Sequence, residues 1–351
     1  MVLLFIPILE PILLQILVII LSISLVPIEV FPRNVDNLDQ LLEEISSPNI
    51  AIGMMNKNED PDVIVRNVRH LQPLLPDVYG LWIVDSSDDG YAEGLRARLR
   101  REGLRDGTHY SFFFPSARAR SNGKALQMKE FAEMCLREGV KSCYTDGDFE
   151  DIPIGDTGRV YTILNLVAGM LWGYRQWLEK HHDSSLKPIL VKANYRRPPL
   201  SGTNSEGLTE EQFYNPRRYG RVGRVGTYVK KELERLGIFI ASIQNPTSGE
   251  VIIPDVELAL YGRDGIHGFF GCNGYQIELS MLLVAEYLGR FHDCCVVEPF
   301  VGWHDHKHQE REGIERMRSQ ILDMIREFVR SKLQPIESYG PLQHLSVPAY
   351  G

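Results

Sequence analysis

Between residues 50 and 148 short apolar runs alternate with helix-length segments, and each run leads into a polar cluster. The runs are Ile50–Met55, Tyr79–Asp85, Tyr110–Phe114 and Val140–Thr145. They are too short for stable helices and carry little alternation, as strands buried on both faces do. Asp62–Leu71, Tyr91–Glu102 and Gly123–Arg137 separate them, the last with apolar Leu126, Met128, Phe131 and Met134. This rhythm predicts an α/β fold with a parallel sheet covered by helices. In such sheets ligands bind beyond the carboxyl ends of the strands. Asn56–Asp60, Asp85–Asp89, Ser121–Lys124 and Asp146–Asp148 should therefore converge on one site.

The second half is less regular. Residues 160–181 read as an apolar core helix and Pro188–Tyr195 as another strand. A Gly-, Pro- and Arg-rich stretch runs from Arg196 to Gly226, and helices are expected at Thr227–Leu236, Tyr275–Leu288 and Glu312–Lys332. The chain of 351 residues has 38 basic and 46 acidic side chains, a net charge of −8. That balance argues against a nucleic-acid partner, which would need clustered cations. The five cysteines are odd in number and form no C-x-x-C pair, so neither a zinc ribbon nor a disulfide framework is expected. Residues 11–28 carry no charge and are bracketed by Glu10 and Glu29. A bilayer core needs roughly 20 helical residues, so this segment reads either as a membrane contact or as an extension outside the fold.

Four constellations carry chemistry, each with a plainer reading beside it. Asp146-Gly147-Asp148 follows a strand, and its two carboxylates could share a hard divalent cation, Mg2+ or Mn2+; a solvated turn has the same composition. His304, His306 and His308 alternate, so in extended chain they share a face and one could complete that coordination sphere; a surface cluster is the other reading. Lys192, Arg196, Arg197, Arg217, Arg218, Arg221 and Arg224 are a local basic excess interleaved with glycine, suited to an anion; a solvated loop would explain some of them, though not easily the glycine alternation. Gly123-Lys124 opens a helix, where backbone N–H groups attract phosphate, although N-capping also accounts for it. Glu250 and Glu278, each beside apolar sequence, are uninformative alone. No G-x-S-x-G, H-E-x-x-H or G-x-G-x-x-G pattern occurs, which lowers serine hydrolase, zinc protease and dinucleotide oxidoreductase readings.

The ordered series resembles the retaining GT-A glycosyltransferases that make glucosyl-3-phosphoglycerate, and more distantly the mannosyl-3-phosphoglycerate synthases. It comprises Asn58-Glu59, Val84-Asp85-Ser86, Gly123-Lys124-Ala125-Leu126, the D-x-D triplet, Val191-Lys192-Ala193-Asn194-Tyr195-Arg196-Arg197-Pro198, Gly223-Arg224-Val225, Asn245-Pro246 with Gly249-Glu250, Gly274-Tyr275-Gln276-Ile277-Glu278, and His306-Lys307-His308. The resemblance implies a GT-A fold: a Rossmann-like nucleotide-sugar-binding half (48–195) with a mixed, mainly parallel sheet, and a smaller acceptor-binding α/β half (196–335). Residues 1–32 would be a hydrophobic N-terminal segment and 336–351 a tail. It implies that Asn58, Glu59, Ser86, Gly123, Lys124, Asp146 and Gly147 contact the donor, and that Asp148 and His306 hold Mg2+ or Mn2+. Arg224, Gly226, Thr227 and His308 would bind the acceptor, and Asp148, Glu278 and Lys124 would serve the chemistry. The implied reaction moves glucose from UDP- or GDP-glucose to 3-phosphoglycerate. Mannosyl transfer, or transfer to a lipid or polymer acceptor at a membrane, are the alternatives. A cytoplasmic homodimer is expected, tethered to a membrane if residues 11–28 insert. The chain departs from the family pattern in reading G-R-V-G at 223–226, in having His308 after the metal histidine, and in the turn Met55-Asn56-Lys57.

Overall fold

The computed structural model describes residues 38–323 except 46, 199–207, 221–223, 236–243, 264–267, 271–276, 292, 305–314 and 316. The hydrophobic segment 11–28 and both His306 and His308 lie outside the described residues. Among the described residues no helix is long and apolar enough to cross a membrane.

The first half follows the expected alternation: α1 (Leu38–Glu44), β1 (Ser47–Asn56), α2 (Pro61–Leu71), β2 (Val78–Asp85), α3 (Tyr91–Arg101), β3 (Ser111–Phe113), α4 (Ala117–Asn122), α5 (Lys124–Arg137) and β4 (Lys141–Asp146). Then come β5 (Ile152–Ile154), β6 (Arg159–Tyr161), α6 (Ile163–Lys180), β7 (Lys187–Lys192) and β8 (Asn194–Arg196). The chain continues through α7 (Glu210–Tyr214), α8 (Pro216–Tyr219), α9 (Arg224–Arg235), β9 (Val251–Ile253), α10 (Val256–Tyr261), α11 (Ile277–Phe291), β10 (Cys294–Val297) and β11 (Phe300–Trp303). Local signals set several boundaries. Asp60 caps α2 by accepting from Asp62 N at 2.9 Å, with Pro61 at the first helical position. Asn165 Oδ1 accepts from Thr162 N at 2.8 Å at the start of α6.

Seven strands form one sheet in the order β10-β7-β9-β4-β1-β2-β3. All neighbours are parallel except β9, which runs antiparallel to both β4 and β7. The sheet is therefore mixed and mainly parallel, as expected. Strands from both sides of residue 195 share it. The expected strand Pro188–Tyr195 breaks at Ala193: β7 stays in the main sheet, while β8 pairs with β11 in a separate two-stranded sheet. Val251-Ile252-Ile253 was not read as a strand, because three residues carry too little periodicity.

Side chains alternate between two cores. Ile50, Ile52 and Met54 of β1 join Ile64, Val68, Leu95, Leu99, Leu166 and Trp177 under α2, α3 and α6. Ala51 and Met55 face the other way, to Met128, Phe131, Ala259 and Leu282 of α5, α10 and α11. On that face Gly53 sits beneath Phe131, whose ring would lie 2.7 Å from a Cβ at residue 53. The helix at 160–181 is the core element it was expected to be: α6 is buried from Ile163 to Leu171 and again at Gly173, Tyr174 and Trp177. Its Trp172 donates to Glu44 Oε2 at 2.7 Å, pinning α1. Cys135, Cys143, Cys294 and Cys295 are buried.

Candidate active site at the carboxyl edge of the sheet

The parallel register places the ends of β1, β2 and β4 side by side: Asn56 opposite Asp85, and Met55 opposite Asp146. The loops leaving these strands are tied together. Asn56 Nδ2 donates to Asp85 Oδ1 at 2.8 Å, and Asp85 also accepts from Ser87 N at 3.1 Å. Ser86 is buried, with its Oγ donating to Asn56 O at 3.1 Å. Asn58 takes up a left-handed conformation (φ 56), which asparagine tolerates better than most residues. Its N–H donates to Ser87 Oγ at 2.7 Å, and its side chain exchanges two hydrogen bonds with Asp88, at 2.9 and 3.0 Å. The Tyr91 hydroxyl donates to Glu59 O, and burial pushes its own pKa up to about 12.

The Asp146-Gly147-Asp148 turn lies against β1. Gly147 N donates to Met55 O at 2.8 Å, and a Cβ at residue 147 would stand 2.6 Å from that same oxygen. Only glycine fits. Lys124 opens α5 directly after Gly123 (φ 89), and its Nζ donates to Asp146 Oδ1 at 2.7 Å and Glu278 Oε1 at 3.2 Å. Burial alone would lower the Lys124 pKa, but Asp146 and Glu278 outweigh it and hold the ammonium well above its ordinary range. Burial raises the Glu278 carboxyl against the pull of Lys124 and Lys192. Asp148 is pushed up to about 7, first by burial, then by Asp146 and Glu59; His304 and Lys124 oppose the shift.

One wall of the site is the loop 244–250. Gly249 lies so close that a Cβ there would meet Lys124 Nζ at 2.7 Å and Asp146 Oδ2 at 3.0 Å. Buried ionisable groups hold this loop from behind. Glu298 accepts from Gln244 N at 2.8 and 2.7 Å and from Asn245 N at 2.8 Å. Lys192 Nζ donates to Ser248 O. Ser248 Oγ donates to Glu250 Oε2 at 3.1 Å, and Glu250 Oε1 meets His304 Nε2 at 2.7 Å.

The structure thus gathers Lys124, Asp146, Gly147 and Glu278 around one point, with Glu59 and Asp148 in electrostatic contact and Asn58 and Ser86 on the adjoining loops. Arg224, Gly226 and Thr227 fall in the first turns of α9, which begins three residues earlier than expected. Gly226 is buried there and Thr227 exposed. Two sequence readings change. Lys192 belongs to the interior rather than to an exposed anion-binding set. His304 is buried, stacked on Tyr195 at 4.5 Å, and so is no surface histidine. Glu250, uninformative in the sequence, is fully buried. Glu298 and Asn67 were not singled out; the only signal for Glu298 was a carboxylate closing the apolar run Cys294–Val297.

A divalent cation fits this donor set. The carboxylate oxygens of Asp146 and Asp148, with Glu59 adding negative charge beside them, are the ligand type a hard ion takes. Among the described residues no group of three or more His, Cys, Asp and Glu side chains could by itself hold a metal; His306 lies outside them.

No protein-family model and none of the curated proteins match the sequence. Solved structures do match. Mannosyl-3-phosphoglycerate synthase from Rubrobacter xylanophilus superposes with a TM-score of 0.52 at 16% identity, over 86% of this chain and 79% of that one. A mycobacterial protein gives 0.51 at 17% identity, over 82% and 76%. Glucosyl-3-phosphoglycerate synthase from Mycobacterium tuberculosis, in complex with Mn2+, UDP and phosphoglyceric acid, gives 0.49 at 15% identity over 82% and 80%, just under the level of a shared fold. At such identities the likeness is one of architecture. The chain shares the α/β fold of the mannosyl-3-phosphoglycerate synthase.

Proposed function

We propose that the chain is a metal-dependent retaining glycosyltransferase that moves a hexose, glucose in the first instance, from a nucleotide sugar to 3-phosphoglycerate or a similar small phosphorylated acid. The observation that carries this reading is the contact of Lys124 with both Asp146 and Glu278, the latter 154 residues distant in sequence. A lysine at the opening of a helix, held charged between two carboxylates at the sheet's carboxyl edge, is placed to neutralise a diphosphate leaving group.

Asp148 and His306 would hold Mg2+ or Mn2+, which when bound supplies Lewis-acid stabilisation of the diphosphate. Asn58, Glu59 and Ser86, on the loops after β1 and β2, would receive the nucleotide, and Gly123 and Gly147 would let backbone approach it. Arg224, Gly226 and Thr227 at the start of α9, with His308, would take the acceptor's phosphate and carboxylate. Glu278 would lie beside the transferred sugar. The acceptor hydroxyl attacks the anomeric carbon on the face the diphosphate leaves. The new C–O bond forms as the old one breaks, and the hydroxyl proton passes to the departing phosphate oxygen. No protein nucleophile is required.

The test is a matrix of UDP- and GDP-sugars against small phosphorylated acids, run on the purified full chain with and without Mn2+ or Mg2+. Transfer that needs metal and vanishes in Asp148→Ala supports the reading. Absence of transfer and of donor hydrolysis throughout the matrix would overturn it.

A further inference from the structure

Asn67 lies on the inner face of α2, in a row with Ile64, Val65, Val68 and Leu71, all buried among apolar neighbours. Packing alone asks for an apolar residue there. Asn67 is instead fully buried, and its Oδ1 has no hydrogen-bond partner among the described residues. An unsatisfied buried polar atom costs about 1–3 kcal/mol, so the amide's other end must offset a penalty. That end spans the turn: Nδ2 donates to Gly147 O at 2.9 Å and to Phe149 O at 3.2 Å. Two carbonyl partners fix this nitrogen as the donor.

The two carbonyls flank Asp148. A second side chain of α2 takes the same grip, since Arg66 Nη2 donates to Phe149 O at 3.1 Å. From the opposite side Gly147 N is held by Met55 O. Among the described residues no hydrogen bond holds the Asp148 carboxylate itself, so the backbone around it sets its position.

Resting on the metal-dependent transfer described above, we propose that Asn67 is a positioning residue for the cation site: its amide clamps the backbone on both sides of Asp148 and so presets that carboxylate for the metal. Residues that orient ligands from behind typically matter about 10–100-fold in metal affinity. Asn67→Leu keeps the packing and removes both donors. Asn67→Asp keeps the shape and turns an acceptor toward the two carbonyls.

Calorimetric titration of the full chain with Mn2+ in the presence of UDP, and with UDP alone, provides the test. Both Asn67 variants should bind Mn2+ about tenfold or more weakly, while binding of UDP alone stays close to wild type. Arg66→Met, at a half-buried residue that also pairs with Glu150 and Asp151, should show a smaller loss in the same direction and serves if an Asn67 variant fails to fold. Unchanged Mn2+ affinity in folded variants or in Arg66→Met, with wild-type transfer intact, overturns the positioning role and leaves the function standing. A wild-type chain that neither binds Mn2+ with UDP nor transfers sugar overturns both.

Discussion

Glu250 Oε1 and His304 Nε2 meet at 2.7 Å, with both side chains about 1% exposed. The contact joins the residue before β9 to the residue after β11, and Phe149 lies edge-on to the same imidazole at 5.0 Å. It thereby ties together the loop behind Gly249, the D-G-D turn and the segment that runs on to His306. Removing either side chain takes away a buried hydrogen bond and leaves its partner less well satisfied, which typically costs about 1–3 kcal/mol. Glu250→Ala and His304→Ala should each lose stability on that scale in urea unfolding, and the double variant should lose less than the two losses added. Strict additivity would show that the two groups do not depend on each other.

Lys124→Met removes the ammonium between Asp146 and Glu278 while keeping much of the stem. If that charge stabilises a leaving diphosphate, kcat should fall about 100- to 1000-fold, the scale for losing one preorganised electrostatic partner. Steady-state kinetics with saturating donor and metal would measure it. A change confined to KM would assign Lys124 to ground-state binding instead.

Two glycines in the site should respond differently to alanine. At Gly147 the new Cβ would stand 2.6 Å from a backbone oxygen, which cannot yield without moving β1. Gly147→Ala should therefore cost about 1–3 kcal/mol, the scale of overpacking, together with activity. At Gly249 the nearest atom is the tip of Lys124, which can swing aside. Gly249→Ala should melt within a few degrees of wild type yet lose as much as about 100-fold in activity, because a small misplacement near the reacting groups is costly. Paired thermal melts and rate assays separate the cases; equal losses of stability would count against this geometry.

The Glu298 carboxyl is raised from its ordinary 4.5 to about 7, chiefly by burial, against the N–H groups of Gln244 and Asn245 and the Lys192 charge. Between those values the folded chain holds a proton that the unfolded chain has lost. The stability from this group is therefore complete below about pH 4.5 and is lost as pH rises through about 7. Glu298→Gln does not titrate there, so the advantage of wild type over this variant should shrink steadily across that window. Melting midpoints of both proteins from pH 4.5 to 7.5 check it, and a constant difference would rule out the titration.

Much of the first half was legible because its strands are buried on both faces, which leaves unbroken apolar runs such as Tyr79–Asp85 with turn residues at their ends. The polar clusters could be assigned to one edge for the same reason. The contact between Lys124 and Glu278 could not be read from spacing, since the chain between them crosses the whole second half; only resemblance brought Glu278 forward. Burial of single polar residues was harder still. Lys192 looks like its arginine neighbours in sequence, yet its ammonium ends on the Ser248 carbonyl. Asn67 looks like a polar position on an exposed helix, although the residues three and four places away already mark the inward face.

The antiparallel insertion of β9 between β4 and β7 has a mechanical consequence. A strand from late in the chain is stitched by backbone hydrogen bonds to one from early in it, immediately beside Asp146. Rotating one half against the other, as bilobed enzymes do when they admit a ligand, would mean tearing that seam. The two stretches of chain that the seam joins therefore form one continuous platform beneath Asp146.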